Sequence, residues 1–190
     1  MMLWSPQQIV AAASTIIVGA VVQGAVGMGM GLLAVPILLQ IDPVFVPGPI
    51  LCGSFVLTCL MIARERGAID LSGLKWGIAG RLVGTAAASA VLAFLPSDET
   101  SVIAAGLILV AVALSLSGMR LQPTRGIVIG AGAISGVMST LASVGGPPIA
   151  LLYQHEKGPR LRATMSGYLV VGTVVSVIGL ALAGRFGAAE

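Results

Sequence analysis

Two segments rich in glycine and proline are the parts of this 190-residue chain whose residue types suggest chemistry. They read GAVGMGMGLLAVP at 24–36 and GVMSTLASVGGPP at 136–148, and each interrupts a long apolar stretch. Glycine permits open backbone, and Pro36, Pro147 and Pro148 remove amide donors and bend the chain. Half-helices that begin at such breaks aim N–H groups at one point. That arrangement predicts a site for an anion that needs no Lys or Arg.

Polar side chains near the breaks add to this prediction. The hydroxyls of Ser139, Thr140 and Ser143 and the amide of Gln23 are hydrogen-bond donors that the site can use. The flexible side chains of Met28 and Met30 can line it.

Arg81 is the one charge expected within an apolar stretch. It follows Lys75 by six residues, which favours a side chain that snorkels to the cytoplasmic face. The alternative is that Arg81 faces a cavity and attracts anions.

Close helix packing is the competing explanation for the glycines. Small residues at four-residue spacing let two helix backbones approach each other. Such pairs include Gly73 and Gly77, Gly80 and Gly84, Gly126 and Gly130, and Gly132 and Gly136.

Other chemistries lack the residues they need. The string GMGMG follows no strand, which argues against a nucleotide-binding loop. His155 is the single histidine and is interpreted as a solvated loop residue, so we expect neither a metal site nor a cofactor. No Asp or Glu lies well inside an apolar stretch, so we expect no enzyme active site. The net charge of +3 comes mostly from short loops, so nucleic acid is not an expected partner.

The composition predicts an all-α protein integral to a membrane. Hydrophobic residues make up 57% of the chain and charged residues only 9%, too few to cover a soluble domain. Six apolar stretches follow one another, and we expect no signal peptide before them, since no basic residue precedes the first. The stretches run roughly over 9–41, 44–63, 74–95, 101–118, 126–154 and 163–184.

The distribution of charges predicts how these stretches cross the membrane. Basic residues at 64–75, 120–125 and 157–162 place those loops in the cytoplasm, whereas Asp98 and Glu99 lie outside. The fifth stretch therefore begins and ends on one side, as a re-entrant hairpin does. The same reasoning predicts a hairpin for the first stretch. The alternative is that both are single long tilted helices.

Two hairpins followed by spans predict two related, inverted repeats, a pattern of many secondary transporters. The first repeat would cover 1–120, with a broken helix and three spans. The second would cover 121–190 and be incomplete, with a broken helix and one span. In this comparison Gly27 to Gly31 pairs with Ser143 to Pro147.

The ordered pair of glycine–proline segments resembles the sulfite exporter TauE/SafE family. Residues 19–40 resemble its first signature, a glycine-rich run that ends in an aliphatic–proline step. Residues 132–153 resemble its second signature, Gly-x-Gly-Gly-Pro, with Ser143 in place of the first glycine. Residues 63–99 and 162–169 resemble the family's basic loop with its third helix and the helix after the second signature.

This resemblance implies a bacterial inner-membrane permease for small sulfur-containing anions such as sulfite, sulfoacetate and other organosulfonates. It implies that the two signatures meet near the membrane centre. The substrate region that it implies contains Gly27, Gly29, Gly31 and Pro36 with Gly145, Gly146 and Pro147. The second repeat shows two helices fewer than the family pattern. It is expected to be a short copy, a truncated one, or one that another subunit completes.

Three functions follow from these observations. The leading hypothesis is a secondary transporter, most simply an exporter, whose partners are a small anion and the membrane lipid. The second is a non-transporting membrane subunit that uses its glycine faces for assembly, and the third is a passive anion channel. A homo-oligomer is left open.

Overall fold

The protein is a bundle of α-helices. The computed structural model describes residues 4–46, 48–65, 67, 69, 71–119, 121–154, 156 and 158–184. Arg66, Arg120, His155 and Lys157, which the sequence places in cytoplasmic loops, lie outside the described residues. Within the described ranges the chain contains no strand, which confirms the all-α prediction. The helices are α1 (Pro6–Val26), α2 (Met30–Ile41), α3 (Gly48–Glu65), α4 (Leu71–Phe94), α5 (Ser97–Leu116), α6 (Arg125–Ala142), α7 (Pro147–Tyr153) and α8 (Gly158–Leu182). A short 3-10 turn at Pro43–Phe45 follows α2.

Five segments of the described chain are long and apolar enough to cross a membrane. They are Pro6–Val26, Pro43–Glu65, Gly73–Phe94, Arg125–Ala142 and Gly158–Leu182. Large apolar side chains such as Val10, Leu60 and Leu109 are exposed on the outside of the bundle. Lipid tails solvate such a surface and water does not, so the chain is a multi-pass membrane protein.

The first apolar stretch folds into a hairpin. Ser5 and Gln8 form a capping box at the start of α1, and Gly27 ends that helix with a φ of 98°. At the other end of the hairpin, Trp4 Nε1 donates a hydrogen bond to Asp42 Oδ2 over 3.0 Å. The start of α1 therefore lies beside the end of α2, and the two helices run antiparallel. The alternative of one long helix is wrong for this stretch.

The fifth stretch also turns back on itself. Helix α6 ends at Ala142, and Ser143 then takes a φ of 56°. After the short helix α7, the side chain of Gln154 donates to the carbonyl oxygen of Met119 over 2.6 Å. Because Met119 lies six residues before α6, the chain after α7 returns to the segment that precedes α6. A single continuous helix is wrong here too. The inverted relation between 1–120 and 121–190 stays a prediction.

Glycines bring α4 and α6 into backbone contact. A Cβ atom added to Gly80 would overlap the carbonyl oxygen of Ile129, and one added to Gly84 would overlap that of Ala133. From the opposite helix, a Cβ on Gly136 would lie 2.5 Å from the carbonyl oxygen of Arg81. The packing explanation is therefore confirmed for the glycines of this interface, which also includes Gly132. Open space surrounds Gly126 and Gly130 instead.

Helix α8 joins this pair to the rest of the bundle. It packs against α3 and α4, and its buried face includes Met165, Tyr168 and Leu180. Arg162 on α8 also bonds the carboxylate of Glu65 at the end of α3, with Nη2 2.6 Å from Oε1. Helices α4, α6 and α8 thus pack on one another, and the first hairpin contacts α3, α5 and α8.

Candidate functional site

The two chain breaks meet inside the bundle. A Cβ atom added to Gly31, at the start of α2, would lie 2.5 Å from the carbonyl oxygen of Ser143. A Cβ on Gly146 would lie 3.2 Å from the Cβ of Met28. A Cβ at Gly31 would force the backbone to shift, and one at Gly146 would be tight, so glycine permits the close approach of the two breaks.

A cavity lies where the breaks meet. It holds about 310 Å³ of space between its lining atoms, part of which is open to the outside. Residues of both breaks line it, together with one side chain each from α3 and α8: Gln23, Met28, Gly29, Gly31, Leu32, Ser54, Ser143, Val144, Gly145, Gly146, Pro147 and Leu169. The centre of a water-sized solute can reach only about 30 Å³ of this space, so the cavity suits a small solute.

Gln23 fixes the geometry of the first break through hydrogen bonds to the helix ends on both sides of it. Its backbone carbonyl accepts the N–H of Gly27 over 2.7 Å and so ends α1. Its side-chain oxygen accepts the N–H of Met30 over 3.2 Å and so caps α2, while its Nε2 donates to Ser54 Oγ over 3.4 Å. Gln23 is buried, and one side chain thus connects α1, α2 and α3.

Ser143 shapes the second break. Among the described residues it is the one non-glycine residue with a positive φ, and its N–H bonds back to the end of α6. The conformation is one that glycine adopts without strain. Gly27 ends α1 in the same left-handed region, so the two positions paired in the sequence comparison perform the same local task.

Backbone groups supply the polarity of the cavity. No Asp, Glu, Lys or Arg is among its lining residues. Gly31 and Leu32 lie in the first turn of the 12-residue helix α2, where amide N–H groups have no acceptor within the helix. Among the described contacts, the amides of Gly145 and Gly146 also make no hydrogen bond. Amide N–H groups that have no acceptor within the described part of the protein are therefore found among the residues that line the cavity.

Arg81 lies behind this lining and does not snorkel. Its side chain is only 1% exposed, so the expected reach to the cytoplasmic face is wrong. Its guanidinium donates to Ser139 Oγ over 2.6 Å, to Ser135 Oγ over 3.3 Å and to Ser176 Oγ over 3.5 Å. The ring of Tyr168 lies 5.0 Å from its Cζ. Gly172 on α8 makes room for the guanidinium, since a Cβ there would overlap it.

The structure brings together seven of the twelve residues that the sequence proposed for binding. The cavity lining contains Gln23, Gly29, Gly31, Ser143, Gly145, Gly146 and Pro147. Gly27 packs against the backbone of Arg162, and Pro36 lines a separate apolar groove between α2 and α5. Ser139 and Thr140 belong with Arg81 to the buried hydroxyl cluster, in which Thr140 Oγ1 lies 3.3 Å from that of Thr85. These five residues do not line the cavity.

Sequence reasoning missed four of the lining residues. They are Leu32, Ser54, Val144 and Leu169. Leu32 and Val144 sit within the predicted breaks but are ordinary apolar residues. A lone serine in α3 and a leucine in α8 carry no signal in their own segments, because only tertiary packing brings them to the site. Met28 lines the cavity as its flexible side chain predicted, whereas Met30 is buried in the core.

Broken helices that meet inside a membrane bundle are a feature of many secondary transporters. A comparison with protein families matches residues 11–189 to the family described as sulfite exporter TauE/SafE. The chain belongs to that family, and it is therefore a membrane transporter of the sulfite-exporter type. Comparison with curated proteins and with solved structures gave no match.

Proposed function

We propose that this protein exports small oxyanions of sulfur, sulfite and organosulfonates such as sulfoacetate, across the inner membrane of a bacterium. The observation that carries the proposal is the cavity at which the two glycine breaks meet. In the proposed mechanism the amides of Gly31, Leu32, Gly145 and Gly146 replace part of the water around the anion. A sulfonate or sulfite group has several acceptor oxygens close together, which matches donors that converge from two breaks.

The lining residues support an anion rather than a cation or a neutral apolar solute. A cation needs carboxylates or carbonyl oxygens as ligands, and no carboxylate lines the cavity. A larger groove between α2 and α5 is lined almost entirely by apolar side chains such as Leu39, Ile108 and Val112. Because that groove is apolar, it suits lipid tails and not a hydrated anion.

The assembly hypothesis receives less support from the same glycines. A Cβ on Gly145 would meet Ser139 and Ser135, and one on Gly29 would meet Val22. Both glycines thus face the chain's own residues and leave no glycine surface there for a partner. This favours a role of the breaks in binding a solute over a role in association.

Efflux from proteoliposomes tests the proposal. Vesicles loaded with 35S-sulfite should lose label in a saturable manner when they contain the protein, and methanesulfonate should compete. Gly31→Ala should slow efflux at least about tenfold, because the added Cβ would lie 2.5 Å from the Ser143 carbonyl oxygen. The matched control is Gly24→Ala, whose Cβ meets nothing within 4 Å.

Three results would contradict the proposal. If labelled chloride leaves the vesicles but sulfite and sulfonates do not, the substrate class is wrong. If flux does not saturate, the protein is a channel. If Gly31→Ala and Gly24→Ala both transport like the unmodified protein, the cavity is not on the transport route.

A further inference from the structure

Arg81 is a buried positive charge with an incomplete set of partners. Within the described ranges no Asp or Glu forms an ion pair with it. Of the described carboxylates, Glu65 pairs with Arg162, Glu156 pairs with Arg160, and Asp42 bonds Trp4. The Nε of Arg81 is buried and makes no hydrogen bond. A charge in this position is costly unless an opposite charge lies near it.

A chain of hydrogen bonds connects Arg81 to the cavity. Its Nη1 donates to Ser135 Oγ over 3.3 Å, and the Ser135 hydroxyl in turn donates to the carbonyl oxygen of Gly145. A Cβ added to Gly145 would lie 3.1 Å from that Nη1 and 2.8 Å from the Cβ of Ser139. Since Gly145 lines the cavity, one peptide group separates the guanidinium from the space in which a solute would sit.

The same bond fixes the direction of the next amide. In a planar trans peptide the C=O and the following N–H point to opposite sides. The Gly145 carbonyl points to Ser135, so the N–H of Gly146 points away from the arginine. The Ser135 hydroxyl therefore holds the Gly146 N–H in place. The charge of Arg81 polarises the peptide group that carries this N–H.

We propose that Arg81 is the positioning residue that gives this site its preference for negative charge, acting through Ser135 on the Gly145–Gly146 peptide. The anion in the cavity is then the counter-charge that the folded protein lacks. This inference rests on the proposed function, because it assumes that the cavity binds the transported anion. Arg81 itself does not touch the solute.

Two solutes of nearly equal shape separate charge from fit. Methanesulfonate carries one negative charge, and dimethyl sulfone is its neutral analogue with a methyl group in place of one oxygen. We suggest isothermal titration calorimetry of the purified full chain in detergent with each solute. The unmodified protein should bind methanesulfonate more tightly than dimethyl sulfone.

Arg81→Gln should weaken methanesulfonate binding roughly 10- to 100-fold, the order expected for loss of a unit charge that one peptide group separates from the solute, at an effective dielectric constant of about 20. Its affinity for dimethyl sulfone should not change. Arg81→Lys should restore most of the difference between the two solutes. If Arg81→Gln discriminates between them as the unmodified protein does, or if both variants lose both solutes equally, the inference is overturned.

Ser135→Ala provides a second test should Arg81→Gln fail to fold. It keeps the charge and breaks the connection to Gly145. Methanesulfonate affinity should fall several-fold while dimethyl sulfone affinity stays the same. The matched control is Ser89→Ala, which removes a buried hydroxyl on α4 that makes no hydrogen bond. A Ser135→Ala protein that titrates like Ser89→Ala overturns the inference. An unmodified protein that binds neither solute refutes the proposed function itself.

Discussion

At the scale of single residues, the two breaks depend on a few side chains with more than one task. Gln23 ends α1 with its carbonyl and caps α2 with its side chain. Ser143 occupies a left-handed conformation at the corresponding point of the second break. Both residues could be named from the sequence, because polar residues beside glycine-rich breaks are rare in apolar stretches. Their partners could not be named.

Ser143→Gly should stabilise the fold by relieving the left-handed strain. A non-glycine residue in this region costs about 1–2 kcal/mol. We expect the release of this strain to exceed the loss of the contacts that the hydroxyl makes. We expect a small rise in the midpoint of thermal unfolding in detergent, whereas Ser143→Val should lower it. A midpoint that falls for glycine as it does for valine would show that the hydroxyl matters more than the backbone conformation.

The position of Arg81 shows where residue-level reasoning fails. Its closeness to Lys75 in sequence favoured a snorkelling side chain. The residues that retain it inside the bundle are Ser135 and Ser139 on α6 and Gly172 and Ser176 on α8. These residues lie far from Arg81 in the sequence, and no local pattern on α4 predicts them.

At the scale of elements, the sequence predicted the helices and their breaks well because long apolar stretches and glycine–proline pairs are strong signals. All six apolar stretches contain helices at the expected places. The pairing of α4 with α6 was harder to predict, since several pairs of small residues at this spacing were available. The structure uses Gly80, Gly84, Gly132 and Gly136 for it.

Gly84→Ala should disrupt the contact between α4 and α6. The added Cβ would overlap the backbone of Ala133, which cannot rotate away. Overpacking of this kind typically costs about 1–3 kcal/mol. Gly106→Ala on α5 is the matched control, because nothing lies within 4 Å of its Cβ. Thermal unfolding in detergent should show a clear loss for the first variant and none for the second. Equal midpoints would mean that the two helices can separate without cost.

The contact that closes the first hairpin should depend on pH. The indole of Trp4 and the backbone N–H of Val44 hydrogen-bond the Asp42 carboxylate, and together they lower its pKa below the ordinary value of 3.8. Because the folded-state pKa is lowered, the contribution of this contact is complete above the ordinary value. It is lost as the pH falls through the lowered pKa.

Fluorescence of Trp4 measures this pH dependence. In a Trp76→Phe background the Trp4 emission should stay constant from neutral pH to about 4 and change only below it. Asp42→Asn should show no such transition. A transition of Trp4 emission near pH 6, or one that persists in Asp42→Asn, would contradict this account.

At the scale of the whole molecule, the prediction concerns the side of the membrane on which the loops lie. Thr124 precedes α6 and Gln154 follows α7, and the stretch between them turns back. In a protein with Cys52→Ala and Cys59→Ala, Thr124→Cys and Gln154→Cys should both react with a membrane-impermeant maleimide from the cytoplasmic side only. Glu99→Cys should react from the opposite side only. Labelling of Gln154→Cys from the side that labels Glu99→Cys would contradict the hairpin topology.

The paired prolines that open α7 have a consequence for how long a solute stays. Pro147 and Pro148 offer no N–H, so the start of α7 adds no donor at these two positions to those of Gly145 and Gly146, and part of the solute's hydration persists. A solute that is only partly dehydrated pays a small cost on entry and meets a small barrier on departure. We therefore expect the solute to stay in the cavity only briefly, which suits a protein that moves its solute across the membrane rather than storing it.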